Sequence, residues 1–178
     1  NLYCIGSSLN PGIKAITQDY WVGDICDANQ IATLAIQNQI DFAIIGPEAP
    51  LEQGIADVLW QKGIPVIGPQ KSLARIETSK GFTRDLLKKY AIPGSPIYKT
   101  FHNLIGVKDF LDSLGENNYV IKADSLMGGK GVKVAGDHLH SIAQAYHFCQ
   151  ELHDKNISFV IEEKFVGQEF SFMCFCDG

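Results

Sequence analysis

The chain has 178 residues, of which 46% are hydrophobic and 20% charged, and its formal net charge is −5 at pH 7. This composition is ordinary for a globular protein and excludes a disordered one. The chain has no basic tract and no apolar run of about 18 residues, so we expect neither nucleic acid nor a membrane as its partner. Its five cysteines are odd in number and lack C-x-x-C spacing, which disfavours a disulfide scaffold and favours a reducing cytoplasm.

Short apolar runs alternate with amphipathic segments over the first 70 residues. Residues 2–5, 42–45 and 65–67 predict buried strands, and apolar side chains at helical spacing in 31–36 and 55–59 predict helices. Apolar strands that alternate with helices are typical of a parallel sheet covered on both faces. We therefore predict a parallel α/β domain over 1–70. Because no strand precedes residue 2, we expect its first βα unit to be missing from the chain.

The remaining residues, 71–178, predict a mixed α+β domain. The pattern predicts helices over 72–90, 104–114 and 139–152, and strands over 119–123, 131–135, 159–163 and 169–176. This order favours hairpin-like pairing over simple crossovers. Asp177-Gly178 is a turn dipeptide that normally leads into a further strand, so we expect this domain to be cut short as well.

The most informative motif joins two predicted strands. Lys122 stands at the end of a buried strand, and the glycine-rich segment Gly128-Gly129-Lys130-Gly131-Val132 follows it. Glycines let backbone N–H groups approach a polyphosphate closely, and lysines neutralise its charge. The segment is not a Walker A loop, because that motif places Gly-Lys-Ser/Thr at the start of a helix. A phosphate-covering flap and a plain hairpin with a mobile Gly-Gly turn both fit this motif.

A second motif places carboxylates at and after the strand 159–163. Glu162 and Glu163 end the strand, and Glu169 follows a short linker. Backbone groups of such a linker can bind an adenine, and the later carboxylate can accept hydrogen bonds from both ribose hydroxyls. Solvated acids at a strand end are the alternative interpretation. The order of strand lysine, glycine-rich segment, helix and linker favours nucleotide binding.

A third motif, Gly46-Pro47-Glu48-Ala49-Pro50-Leu51, follows a predicted parallel strand. Ligands of open α/β sheets bind at this end of the strands. Two prolines stiffen the loop and would hold Glu48 outward, toward a ligand. The alternative is a rigid strand-to-helix turn in which Glu48 stabilises the helix N-terminus.

These motifs resemble those of the phosphoribosylamine–glycine ligase family, the glycinamide ribonucleotide synthetases of the ATP-grasp superfamily. Two further segments share the likeness, Glu77-Thr78-Ser79-Lys80-Gly81-Phe82 and Gly167-Gln168-Glu169-Phe170-Ser171-Phe172, and all stand in the family's order. The Gly-Pro-Glu-Ala-Pro-Leu block is specific to this family, whereas the lysine, flap and linker occur in ATP-grasp enzymes generally. The resemblance implies a pre-ATP-grasp, Rossmann-like domain followed by part of an ATP-grasp domain with its B subdomain.

The resemblance implies an enzyme of purine biosynthesis that ligates glycine to 5-phosphoribosylamine with ATP, through a glycyl phosphate. The residues that it assigns to ATP are Lys80, Lys122, Gly128, Gly129, Lys130, Gly131, Val132, Glu162, Glu163, Phe165 and Glu169. Lys80 and Lys122 would bind the phosphates, and the segment from Gly128 to Val132 would close over them. Glu162, the Glu163 carbonyl and the Phe165 amide would bind adenine, and Glu169 would bind the ribose. The residues that it assigns to phosphoribosylamine are Asn10, Gly46, Pro47 and Glu48.

The resemblance also implies Mg²⁺ or Mn²⁺, whose ligands we expect beyond Gly178 rather than in this chain, so we expect the chain alone to be inactive. The flap differs from the family's usual sequence at Ser125 and Met127, and Ser8-Leu9 replaces Pro-Gly before Asn10. Two alternatives stay open. The chain could be a non-catalytic nucleotide-binding ATP-grasp module, or part of an ATP-grasp ligase with another acceptor.

Overall fold

Two compact units make up the chain, Asn1–Thr83 and Arg84–Gly178. The computed structural model describes residues 1–128 and 130–172, so Gly129 and residues 173–178 lie outside the description. The strands are β1 (Tyr3–Gly6), β2 (Asp19–Val22), β3 (Ala43–Ile44), β4 (Val66–Ile67), β5 (Tyr98–Phe101), β6 (Tyr119–Ala123), β7 (Val132–Val134) and β8 (Phe159–Glu163). The helices are α1 (Pro11–Ile16), α2 (Ala28–Gln37), α3 (Glu48–Gln53), α4 (Ile55–Gln61), α5 (Lys71–Thr78), α6 (Lys80–Lys89), α7 (Val107–Leu114) and α8 (Ile142–Asp154). Among the described residues, no helix is long and apolar enough to cross a bilayer.

Parallel strand pairs in the first unit confirm the prediction of parallel α/β structure. β1 pairs with β2 and β3 with β4, both in parallel. Parallel neighbours need a crossover connection. Helix α1 lies in the connection from β1 to β2, and α3 and α4 lie in the connection from β3 to β4. The core of this unit includes Ala35 of α2, Ile55 and Leu59 of α4, and Ile64 and Val66 at β4.

Several short elements of this unit go beyond the sequence prediction. Strand β2 is paired in full with β1, and Tyr3 stacks on Trp21 with ring centroids 5.9 Å apart. The predicted helix over 55–59 is preceded by the separate helix α3. Gly54 divides the two helices with φ +80°, a left-handed conformation that only glycine adopts at no steric cost.

The predicted single helix over 72–90 is wrong, because the structure divides it into α5 and α6 at Ser79. The backbone of Ser79 is extended, with φ −125° and ψ 109°. Its Oγ accepts a hydrogen bond from the Phe82 amide at 3.2 Å, which is the geometry of a helix N-cap. The apolar periodicity continues across this cap, and therefore does not reveal the break.

The second unit is built on a four-stranded sheet with the order β5-β8-β6-β7. All of its pairs are antiparallel, and β6 and β7 form a hairpin, which confirms the predicted hairpin-like pairing. Strands 119–123 and 159–163 have the predicted bounds, whereas β5 was not predicted. The predicted strand over 169–176 is absent over 169–172, and its remaining residues lie outside the described part of the chain.

The two faces of this sheet differ in chemistry. Because side chains alternate along a strand, Tyr119, Ile121 and Ala123 of β6 share a face, and all three are buried in the core with residues of α7 and α8. Lys122 and Glu162 belong to the opposite face. The apolar face therefore anchors the sheet, and the other face presents the charged side chains of the predicted site.

The apolar face predicts a large stability effect at Ile161. This side chain is fully buried in β8, whereas Val166, three residues beyond the strand, is 91% exposed. Ile161→Ala should lower the free energy of unfolding by about 2–5 kcal/mol, because it leaves a cavity in the core. Val166→Ala should change it by less than about 0.5 kcal/mol. Urea unfolding of both variants, followed by circular dichroism, checks this; equal effects would contradict the described core.

Candidate functional site

Strand register brings Lys122 and Glu162 to the same face of the second unit's sheet. Lys122 is opposite Val160, and Glu162 is opposite Val120. Lys122 and Glu162 are therefore diagonal neighbours on adjacent strands, within reach of long side chains. Their side chains form an ion pair between the Lys122 Nζ and the Glu162 Oε1.

A second cation completes this ion cluster. The Arg84 Nε of α6 donates a hydrogen bond to the Glu162 Oε2 at 2.8 Å. Glu162 is only 4% exposed, and each of its carboxylate oxygens contacts a different cation. Pairing of this kind is what a buried carboxylate requires, because its water contacts are lost. With two cations and one anion, the cluster carries one net positive charge.

Arg84 is the site residue that sequence reasoning missed. It lies 78 positions from Glu162 along the chain, so no local motif connects them. The available signal was indirect. Glu162 follows Phe159-Val160-Ile161 inside an apolar strand, and a carboxylate there needs a cationic partner, although the pattern does not say which one.

The neighbouring ionisable groups have partners of their own. Tyr98 is opposite Glu162 on β5, and its hydroxyl donates to the Asp85 Oδ1 at 2.8 Å. Burial, together with this bond and the charge of Asp85, raises the pKa of Tyr98 to about 12, so Tyr98 is neutral at physiological pH. The Glu163 Oε2 accepts a hydrogen bond from the Ile97 amide at 3.2 Å. Glu163 thus fixes the start of β5 and stays separate from the ion cluster.

The glycine-rich segment forms the connection between β6 and β7. The Gly131 carbonyl accepts from the Ala123 amide at 2.7 Å, and the Lys130 amide donates to the Met127 carbonyl at 3.1 Å. A Cβ on Gly131 would lie 2.9 Å from the Met127 Sδ and 3.0 Å from the Ala123 Cβ. A side chain at this position would therefore force its neighbours to shift. Gly129 lies outside the described residues, and closure of this segment over phosphates stays a prediction.

The linker after β8 begins with an anchored lysine. The Lys164 Nζ donates to the Ala135 carbonyl at 2.7 Å and pairs with the Asp137 Oδ2 at 3.5 Å. Beyond it, Phe165 is 61% exposed, and Glu169 is also exposed. The linker is thus held at its start and open to a ligand further along, so its contacts with adenine and ribose stay predictions.

In the first unit, the residues predicted to bind phosphoribosylamine follow the ends of strands β1 and β3. Asn10 caps α1, because its Oδ1 accepts from the Ile13 amide at 3.1 Å. Glu48 is exposed in the first turn of α3, after the N-cap residue Pro47. Gly46 precedes them, and nothing lies within 4 Å of a Cβ at its position. This position agrees with both interpretations of Glu48, as a ligand contact and as a helix-turn residue.

The predicted phosphate-binding lysines belong to different units. Lys80 begins α6 and falls in the first unit, whereas Lys122 belongs to the second. Each unit is defined by its own contacts. A joint contact of the two lysines with phosphates therefore stays a prediction.

No group of three or more His, Cys, Asp or Glu side chains within residues 1–128 and 130–172 is placed to hold a metal ion. Mg²⁺ prefers oxygen ligands. Both oxygens of Glu162 already contact cations, so the ion cluster does not offer them. The residues described here do not fit a magnesium site, and we derive no step through the metal.

Family models match the whole chain in two consecutive parts. Residues 1–77 match the phosphoribosylglycinamide synthetase N domain, and residues 78–178 match the phosphoribosylglycinamide synthetase ATP-grasp (A) domain. These matches confirm the predicted resemblance.

Curated relatives cover almost all of this chain. It is 44% identical to a phosphoribosylamine–glycine ligase of Methanobrevibacter smithii, over 99% of the chain and 41% of that protein. It is 42% identical to the protein of that name from Methanopyrus kandleri, over 99% of the chain and 40% of that protein. The chain thus spans about two fifths of the length of these relatives.

Solved structures share the fold at low identity. N5-carboxyaminoimidazole synthetase from Staphylococcus aureus matches with a TM-score of 0.69 at 10% identity, over 91% of this chain and 40% of that one. D-alanine–D-alanine ligase from Bacillus anthracis matches with a TM-score of 0.63 at 19% identity, over 93% of this chain and 57% of that one. With the family domains, these likenesses confirm the predicted fold class, an α/β N-terminal domain followed by ATP-grasp structure.

The contacts of Gly131 predict that even one methyl group disturbs the connection. Gly131→Ala should lower the free energy of unfolding by about 1–3 kcal/mol through overpacking. Gly46→Ala is the control, because nothing lies within 4 Å of a Cβ at that position. Adding Met127→Ala to Gly131→Ala should recover part of the loss, since the Met127 Sδ is the nearest atom. Thermal unfolding of the four proteins measures this, and an unperturbed Gly131→Ala would contradict the close approach.

Proposed function

This chain belongs to the phosphoribosylglycinamide synthetase family, and from this premise we propose that it forms part of an ATP-dependent ligase acting on glycine and 5-phosphoribosylamine. The products are glycinamide ribonucleotide, ADP and phosphate, as a step of purine biosynthesis in the cytoplasm. The observation that carries this proposal is the match to proteins named phosphoribosylamine–glycine ligase along 99% of the chain.

The proposed reaction has two substitutions. A carboxylate oxygen of glycine attacks the γ-phosphorus of ATP, and ADP leaves, which gives glycyl phosphate. The amine nitrogen of phosphoribosylamine then attacks the acyl carbon, and phosphate leaves as the nitrogen loses a proton. Such steps depend on holding phosphates in place and offsetting their negative charge. We assign this task in the present chain to Lys122 and the net positive charge of its ion cluster.

The proposed nucleotide site follows the geometry of the second unit. Lys122 stands near the end of β6 that leads into the connection to β7, and the linker after β8 begins opposite Tyr119, at the other end of β6. In the proposal the connection covers the phosphates, and Glu162, the Glu163 carbonyl and the Phe165 amide bind adenine. Glu169 binds the ribose hydroxyls. Lys80 supplies a further phosphate contact.

The acceptor site is proposed for the first unit, at Asn10 and the loop Gly46-Pro47-Glu48. Exposed polar groups after parallel strands are typical of ligand sites in α/β proteins. We propose Mg²⁺ or Mn²⁺ as the metal of the reaction, with ligands outside the residues described here. The chain by itself is then a binding component of the ligase rather than a complete catalyst.

The ribose assignment predicts a loss of affinity for ATP in Glu169→Ala. Hydrogen bonds to a charged group contribute about 1.5–3 kcal/mol, so ATP should bind roughly 10–100-fold more weakly. Glu116→Ala removes an exposed carboxylate elsewhere in the same unit and should leave the affinity unchanged. Isothermal titration calorimetry of both variants measures this. Equal affinity of wild type and Glu169→Ala would remove the ribose assignment.

The acceptor assignment predicts a selective defect in Glu48→Gln. This change keeps the shape of an exposed side chain and removes its charge, so the fold and the affinity for ATP should persist. In the full-length ligase, kcat/KM for phosphoribosylamine should fall at least about tenfold, while the KM for glycine changes little. A variant with normal kinetics and lowered stability would identify Glu48 as a helix-turn residue. Activity with another amine in place of phosphoribosylamine would identify a ligase with a different acceptor.

A further inference from the structure

We propose that Arg84 is a positioning residue that keeps Glu162 neutralised and thereby frees Lys122 to contact phosphate. This inference rests on the proposed function, because the phosphate in question is that of ATP. The two cations of the ion cluster have different tasks: Arg84 neutralises the buried carboxylate, and Lys122 contacts the phosphate.

The burial of Glu162 sets the requirement. Glu162 is 4% exposed on β8, an inner strand of the sheet with β5 and β6 on its two sides. Removing the partner of a buried charge is strongly unfavourable, because the charge is left without water or a counter-ion. Glu162 therefore needs at least one cation at all times.

The two cations differ in how well they meet this need. Arg84 is permanently charged, and its Nε contacts the Oε2 at 2.8 Å. Lys122 carries a compact ammonium on a flexible stem, next to the glycine-rich connection. Because the two cations occupy different oxygens of Glu162, Lys122 can leave the Oε1 while Arg84 holds the Oε2.

Asp85, the acidic residue next to Arg84 in the sequence, does not compete with Glu162 for the Arg84 guanidinium. Asp85 accepts a hydrogen bond from the Tyr98 hydroxyl at 2.8 Å. Arg84 is directed instead to Glu162. When Lys122 turns to a phosphate, the pair of Arg84 and Glu162 is electrically neutral, and Lys122 brings its full charge to the ligand.

Without Arg84, Lys122 would be the sole counter-ion of Glu162 among the three groups. A phosphate would then have to compete with a buried carboxylate for the ammonium. The expected result is a lysine that is held more tightly and binds phosphate more weakly, with no direct effect on the adenosine part of the ligand.

A first experiment measures Lys122 without any nucleotide. The 178-residue chain is labelled with an N-hydroxysuccinimide acetate ester, and the rate at Lys122 is followed by peptide mass spectrometry. Arg84→Gln should slow labelling of Lys122 at least fivefold, since the unshared carboxylate holds the ammonium. Arg84→Lys should restore part of the rate. Lys89→Gln removes one charge from an exposed position of the same helix and should have no effect.

A second experiment compares ATP with adenosine by calorimetry. Arg84→Gln should weaken the affinity for ATP at least tenfold and leave the affinity for adenosine within twofold of that of the wild type. In a Glu162→Gln background, Arg84→Gln should lose most of its effect, because no carboxylate remains to hold Lys122. An undiminished effect in that background would show that Arg84 acts directly on phosphate, and would overturn the proposal.

The remaining outcomes are also decisive. Unchanged labelling of Lys122 in a folded Arg84→Gln variant overturns the proposal whether or not nucleotide binds. A wild-type chain that binds neither ATP nor adenosine counts against the proposed function, while the labelling rates still decide the role of Arg84. If Arg84→Gln fails to fold, recovery of folding by adding Glu162→Gln supports the proposal, and failure to recover contradicts it.

Discussion

The neutralisation of one buried carboxylate, Glu162, is the constraint on which the site of this protein depends. The strand that carries it lies inside the sheet, so solvent cannot stabilise the charge. Two cations from different elements meet it, Arg84 from α6 and Lys122 from β6. Arg84 and Lys122 thus share a single carboxylate, so a change in one pairing bears on the other.

Because side chains alternate along the strands, the core residues and the charged residues of the candidate site lie on opposite faces of the sheet. One face of the four-stranded sheet buries residues such as Ile121 and Ile161 against α7 and α8. The opposite face carries Lys122 and Glu162 next to the buried Val120 and Val160. The hairpin connection then depends on Gly131, where Met127 and Ala123 leave no space for a side chain. The charged side chains of the proposed site thus stand on strands whose other face is packed in the core.

Membership of the phosphoribosylglycinamide synthetase family supports the proposal that this arrangement belongs to an ATP-dependent ligase. The N-domain match and the parallel strands of the first unit agree with an acceptor-binding role, and the ATP-grasp match agrees with the charged sheet of the second. The chain covers about two fifths of its curated relatives, so the reaction proposed here is that of the longer protein. Within the chain, the chemistry that we propose for these residues is the binding and orientation of phosphate.

The sequence by itself determined the strands 119–123 and 159–163 and the glycine-rich connection, because each depends on local composition and spacing. It also indicated the family, through the resemblance of its motifs. It predicted the pairing of the second unit, but not β5, whose place beside β8 joins residues far apart in the chain. It missed the break at Ser79, since a capping hydrogen bond interrupts a helix without changing the apolar period. Only the tertiary structure paired Arg84 with Glu162. A strand pattern shows that a buried charge needs a partner, but the choice of partner is made by the packing of distant elements.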